Sequence, residues 1–442
     1  MSTGTNTNPK ASIGAAHGAG HGLGVLCGLA AGVWLGAAEA PTKLVKSGVS
    51  PYAISLCMVT GVFVARWSVP TLLKGTRSVF ADLRENLHLL SSAILAGMLW
   101  AVANTLTVFA IRDVGLTIAF PLWNTNSLVG IFWGWLLFGE LKGAHGKNVA
   151  KVVLGAVAIA GAAVMLGFST IHGQGEHAHK AVSGVLAAAG ASLLWGTMYI
   201  PYRKAYISGM NPLSFVTVFT VGELGTVLAL ALGLDPRTRM ALLHEHAPAA
   251  RGVLFWLFLG GFVWVVGDLF QQFATKYLGI GRAIPLSNTN QLWGLAWGAL
   301  VFGELAQASW GQRVLVVAGS LVMIAGALAV STAVASEREH ASTDAALERE
   351  CRRYGLDYGR VLRAYLGHGA GSAERRGRVD YAIVTAAIAV FIWLALRARQ
   401  PALEMNYGWV WGLGVVLVIS AGICCWGLLR RDRGKETQEL KD

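Results

Sequence analysis

Apolar runs of about 20 residues alternate with short polar gaps along most of the chain. That is the length a helix needs to cross a hydrocarbon core of roughly 30 Å. Such runs fall near 22–41, 51–73, 88–111, 115–138, 149–170, 182–202, 212–234, 252–275, 280–303 and 311–333. A polar stretch at 334–380 interrupts the series, and two further runs follow near 381–397 and 407–429. The pattern predicts an all-α polytopic membrane protein with twelve spans. The first 20 residues lack a charged start followed by an apolar run and a cleavage site, so they do not read as a removable signal peptide.

The chain repeats itself at an offset of 164 residues. Residues 115–141 and 279–305 share 16 of 27 positions, including Pro-Leu-Xaa-Asn-Thr-Asn and a closing Phe-Gly-Glu-Leu. Upstream, Leu95, Gly97, Trp100, Phe109 and Ala110 align with Leu259, Gly261, Trp264, Phe273 and Ala274. The repeated unit is therefore five helices long. Five is odd, so the second copy is expected to enter the membrane from the opposite side. This gives two inverted halves related by a pseudo-two-fold axis, as in many secondary transporters. The expected organisation is a flexible N-terminus at 1–20, repeats at 21–170 and 171–333, a cytoplasmic linker at 334–380, and an accessory hairpin with a tail at 381–442.

These motifs resemble the drug/metabolite transporter superfamily. The Gly-rich first helix, the proline break opening helices 4 and 9 and Leu-Leu-Trp-Gly at 193–196 are similar to its glucose/ribose porter and rhamnose transporter branch. The resemblance covers about 22–333 and implies proton-linked or facilitated movement of a small polar solute. The linker and last hairpin depart from the family's ten helices.

Composition agrees. Hydrophobic residues make up 54% and charged residues 14%, against about a quarter charged in soluble domains. The formal charge of +12 is an orientation signal: 25 Lys and Arg fall on one side of the alternating spans and 10 on the other. By the positive-inside rule both termini are cytoplasmic, in a cytoplasmic (inner) membrane. The split leaves no reason to invoke nucleic acid. The lipid bilayer is the expected surrounding, and the oligomeric state is not legible. No Walker loop, His-Glu-x-x-His helix or triad-like cluster is present, so an enzyme is not expected. No cofactor or metal is expected either, although His172, His177 and His179 in an outside loop have the chemistry to bind one.

The candidate chemistry lies in the few polar residues within apolar runs. Asn124 and Asn126, with their repeat mates Asn288 and Asn290, follow prolines that free backbone carbonyls. They either meet solute hydroxyls or bond between helices. Trp123, Trp100 and Trp264 are candidate stacking faces for a sugar, as are Trp34, Trp195 and Trp293. Gln271 and Gln291 extend the polar set. Asp268, Glu223 and Glu39 are acids inside spans, where ionised groups are costly and usually functional. Asp268 is the first choice for a proton-coupling carboxylate. Arg66 is the one base away from the ends of a span, and Glu223 or Glu39 is its expected ion partner. Glu140 and Glu304, at helix ends, read better as bonds to neighbouring helices than as gates. Gly20, Gly24, Gly28, Gly32 and Gly36 form a stripe for close packing. Residues 344–366 are expected to form a short helix on the membrane surface.

The expected function is a carrier for a monosaccharide, with an exporter of amino acids or other small metabolites as the alternative.

Overall fold

The computed structural model describes residues 9–38, 40–44, 49–114, 119, 122–168, 181–243, 248–303, 305–306, 308–366, 376–398 and 404–439. Among them there are helices and turns but no strand. The first segment, up to Phe168, holds α1 (Pro9–Ala38), α2 (Pro51–Leu73), the short α3 (Thr76–Glu85), α4 (Leu90–Val114), α5 (Asn126–Phe138) and α6 (Gly146–Phe168). The second holds α7 (Ala181–Ile207), α8 (Pro212–Leu234), the short α9 (Pro236–Leu243), α10 (Pro248–Leu278), α11 (Ile280–Ser287), α12 (Asn290–Ala296) and α13 (Trp310–Ser331). Then come α14 (Glu337–Tyr354), α15 (Tyr358–Leu366), α16 (Arg378–Arg397) and α17 (Tyr407–Glu439).

Among the described residues ten helices are long and apolar enough to cross a membrane, where the hydropathy pattern predicts twelve spans. The difference is the fourth and ninth, which are broken. Between α11 and α12 the helix stops for Asn288 and Thr289, and a π-helical turn at Trp297–Val301 follows. In the fourth span the interruption is Thr125, just before α5. The break lies at the Asn-Thr pair, three residues beyond Pro285. A proline removes the N–H that a carbonyl one turn earlier needs, and the turn residues absorb the disturbance.

Helix ends follow local chemistry. α2 and α8 start alike, with a side-chain cap followed by proline. Ser50 accepts from the Ala53 N–H at 3.1 Å, and Asn211 from the Leu213 N–H at 2.9 Å. Each arrangement satisfies an orphan amide, and proline fits the first helical position because it has none to lose.

The two segments pack crosswise. The first long helix of each lies on the third long helix of the other, α1 on α10 and α7 on α4. The second of each also lies on the third of the other, α2 on α10 and α8 on α4. α5 meets α11, α2 meets α8, and α6 meets α13. Glycine makes the closest crossings. A Cβ on Gly61 would overlap the Phe258 carbonyl, and one on Gly261 would overlap that of Met58. Gly97 and Gly222 meet the Phe219 and Ile94 carbonyls in the same way. Small residues let backbones approach where lipid supplies no hydrophobic drive between helices. The α1 stripe is used similarly: Gly24 faces Leu278 at the end of α10, and Gly28, Gly32 and Gly36 face Leu286, Thr289 and Asn290 along the broken ninth span.

The last two helices border this core. α17 lies on α1, where Trp34 Nε1 donates to Ser420 Oγ at 3.1 Å. Phe391 of α16 meets Phe255, Phe258 and Phe262 of α10 edge to face.

Candidate functional site

Arg66 leaves α2 about 10 Å, seven residues at 1.5 Å each, from the helix end. Its guanidinium is fully buried and forks to two acids. Nη1 donates to Glu223 Oε2 at 2.7 Å, and Nη2 to Asp268 Oδ2 at 2.7 Å. Glu223 comes from the middle of α8 and Asp268 from α10, and neither has any exposed surface. The sequence reading paired Arg66 with Glu223 or Glu39. The structure pairs it with Glu223 and adds Asp268, while Glu39 lies outside the described residues.

The surroundings fix this cluster. Asp268 Oδ1 accepts from Gln272 Nε2 at 2.8 Å, and Gln272 Oε1 accepts from Tyr206 OH. Thr220 Oγ1 donates to Glu223 Oε2 at 3.3 Å. The Arg66 guanidinium lies 4.3 Å above the Phe219 ring and 5.3 Å from that of Trp264, a favourable seat for a desolvated cation. Trp264 meets Trp100 edge to face at 4.9 Å, so these two repeat-related tryptophans wall the ion cluster. Three buried polar atoms here have no protein partner: Arg66 Nε, Glu223 Oε1 and Tyr202 OH.

The second polar centre is the meeting of the broken helices. Asn288 Nδ2 donates to Asn126 Oδ1 at 2.8 Å and to the Asn124 carbonyl at 3.2 Å. The local chemistry is the same in both copies. Thr125 Oγ1 donates to the Leu122 carbonyl at 2.6 Å, and Thr289 Oγ1 to that of Leu286 at 2.7 Å. Each hydroxyl thus occupies a carbonyl that an unbroken helix would satisfy from its backbone. Asn124, Asn126 and Asn288 are buried together, and Asn124 Nδ2 has no partner. Asn290 is half-buried, with Gln291 Nε2 at 3.4 Å from its Oδ1. Gln271 Nε2 donates to Ser287 Oγ at 2.7 Å, so α10 reaches both centres through adjacent glutamines. Trp123 stacks edge to face on Trp195 at 6.0 Å, on the Asn124 side of the break. Trp34 instead bonds to α17.

Glu140 caps a neighbouring helix. Oε1 accepts from the Ile280 N–H and Oε2 from the Gly281 N–H, both at 2.8 Å. A carboxylate belongs at a helix N-terminus, where free amides and the helix dipole favour negative charge. Glu304, Pro121, His172, His177 and His179 lie outside the described residues.

The expected single surface helix at 344–366 is two helices. Gly355 takes a left-handed conformation, φ 65°, and turns the chain between α14 and α15. Their apolar side chains Leu347, Cys351, Val361 and Tyr365 are buried with Ile207 and Phe138 at the helix ends. Sequence reading also missed Tyr199, Tyr202 and Tyr206. Their spacing of three and four residues places them on one face of α7, a helical-period signal that was legible.

A sequence profile of the family described as Sugar transport protein matches residues 186–353. Proteins of Streptococcus pyogenes serotypes M1 and M3, each named "Putative sugar uptake protein", are 42% identical over 72 residues. That is 16% of this chain, and the match spans 23% of the length of those relatives. A crystal structure of a protein with 17% identity shares the fold, with a TM-score of 0.51 over 70% of this chain and 96% of that one.

Proposed function

We propose that the chain is a secondary carrier that moves a neutral monosaccharide across the cytoplasmic membrane, with both termini inside. The match of the sugar-transport profile over 186–353 carries this reading. The geometry supports it. The two five-helix segments meet crosswise and bring matching broken helices face to face, and we read them as inverted halves that alternate access by rocking. The asparagine amides at the break offer both donors and acceptors, as hydroxyl groups require. Trp123, Trp100 and Trp264 supply apolar faces nearby.

The charge cluster sets the kind of solute and the coupling. One guanidinium and two carboxylates leave a net charge of −1 when all are ionised. A single added proton makes the cluster neutral. A sugar phosphate or sugar acid would meet like charge in a low-dielectric setting, which is costly. We assign the exchanging proton to Glu223 ahead of Asp268. Both Asp268 oxygens are engaged, by Arg66 and Gln272. Glu223 has Oε1 without a partner, so a proton added there displaces no hydrogen bond. Asp268 then keeps Arg66 in place during the cycle.

Purified protein in liposomes, given an inward proton gradient, is expected to accumulate labelled monosaccharide saturably. Saturable movement of an amino acid or another metabolite, with no sugar uptake, overturns the sugar reading in favour of an exporter or a carrier of different cargo.

A further inference from the structure

The helical pair α14–α15 lies over one end of the bundle, where helices of both segments stop or start. Its first turn is fixed to the ninth helix: Arg282 Nη1 and Nη2 donate to Glu339 Oε1 and Oε2 at 2.6 and 2.9 Å, with both groups buried. Its next contacts are to the end of the fourth. Ser336 Oγ donates to the Lys142 carbonyl at 2.9 Å, and Ser342 Oγ to that of Phe138 at 3.4 Å. Farther on, Tyr354 OH accepts from Lys204 Nζ at 3.1 Å at the end of α7 and stacks on His88, before α4. The Ala364 carbonyl accepts from Lys276 Nζ at 2.9 Å at the end of α10. The pair therefore holds helix ends from both segments at once.

The fixed point lies where movement would begin. Arg282 is three residues into α11, whose first amides are capped by Glu140 from the fourth helix. Residues 280–282 thus tie to the first segment through Glu140 and to the overlying pair through Glu339. Beyond the pair the chain is fastened again: Arg376 Nη2 donates to the Leu72 and Leu73 carbonyls, and Asp380 caps Thr76. Separating the two segments at this end requires the Glu140 cap to break, and with it the pair's contacts to one segment or the other.

We propose that α14–α15 is a built-in latch that holds this end of the carrier shut, with the Arg282–Glu339 fork as its bolt. The contact does not depend on which solute is carried. Only its consequence for transport rests on the carrier reading.

The test is hydrogen exchange, read by mass spectrometry on the full chain in lipid nanodiscs, comparing wild type with Glu339→Gln. A latch predicts that amides at the three separate ends 138–144, 203–209 and 276–284 exchange faster together, by about tenfold or more, while mid-membrane α4 is unchanged. The milder Ser336→Ala/Ser342→Ala variant gives a smaller rise at the same three ends. The reversed pair Arg282→Glu/Glu339→Arg restores slow exchange. Three results overturn the latch: exchange unchanged in Glu339→Gln, a rise confined to the 276–284 and 336–343 contact, or a rise through α4 as well. No solute is present in this measurement, so failure of sugar uptake in liposomes is read separately.

Discussion

Arg66 and Glu223 meet at 2.7 Å across 157 residues of sequence, and neither side chain has any surface in contact with solvent. Removing the base leaves two carboxylates without a counter-charge, whereas amidating one acid keeps a hydrogen-bonding partner. Breaking a buried pair from one side costs about 3–5 kcal/mol. Arg66→Ala is expected to lower the thermal stability of detergent-purified protein sharply, and Glu223→Gln much less. Arg66→Lys rescues only part, since an ammonium lacks the planar fork that reaches both acids. Equal melting temperatures for Arg66→Ala and wild type would sink the structural part of this account.

The proposed proton coupling distinguishes the two acids. In liposomes, Glu223→Gln is expected to abolish proton-driven accumulation while leaving solute exchange across the membrane. Asp268→Asn is expected to weaken both, because a neutral amide holds Arg66 by a hydrogen bond alone in place of the ion pair. Uphill uptake that survives in Glu223→Gln and vanishes only in Asp268→Asn would return the proton to Asp268.

At the broken helices, Asn288→Ala removes the donor that serves both Asn126 Oδ1 and the Asn124 carbonyl. Leaving buried acceptors unmatched costs about 1–3 kcal/mol. The variant is expected to bind solute more weakly as well, seen as a raised KM for uptake with a smaller change in maximal rate. An unchanged KM would confine Asn288 to holding the break.

The four crossing glycines give a test of the packing alone. Gly97→Val drives a side chain into the Phe219 carbonyl, while Gly225→Ala meets nothing within 4 Å. Overpacking costs roughly 1–3 kcal/mol or more where backbone cannot yield. The first substitution should lower the melting temperature by several degrees, and the second should leave it level or slightly higher, since alanine is the better helix former. Equal effects of the two would refute the close crossing.

Acid should weaken the α14 contact. Burial works to raise the Glu339 carboxyl, but its hydrogen bonds and charge pairing with Arg282 outweigh this and hold it below the usual range. A depressed carboxylate stabilises the fold above its unfolded value, about 4.3 for Glu. That contribution fades as pH falls from there through the lower folded value. The stability difference between wild type and Glu339→Gln, followed by thermal melts, is therefore expected to be constant above about pH 5 and to shrink below about 4.3. A difference that widens in acid contradicts the assignment.

Much of this was legible because membranes make polarity conspicuous. Arg66, Glu223 and Asp268 stand out in runs of apolar residues, and the Asn-Thr-Asn motifs declare themselves by recurring. Pairing was harder. Nothing in the local sequence of α2 points to a residue 202 positions later on α10, because the partner is set by helix crossings that depend on glycine spacing. The breaks were placed at the prolines, whereas the turns fall downstream of them, at Thr125 and at Asn288–Thr289. Glu140 was legible as a helix-end group, but its partners, the Ile280 and Gly281 amides, were not. The linker reads as one surface helix, and what its sequence does not show is the turn at Gly355 that folds it into two with Leu347, Val361 and Tyr365 buried between them and Ile207.

The duplication is faithful in backbone and unfaithful in charge. Asn104, which the repeat aligns with Asp268, donates to Ser55 Oγ at 2.9 Å in a neutral pocket. Position 227, which the Gly61 and Gly222 crossings match to Arg66, is valine. Exchanging the two halves therefore does not reproduce the same electrostatic landscape. On the proposed carrier reading, such a chain sits on a tilted balance: with no gradient at all, one orientation is expected to be its resting posture. The ionic cluster is the weight that tilts it.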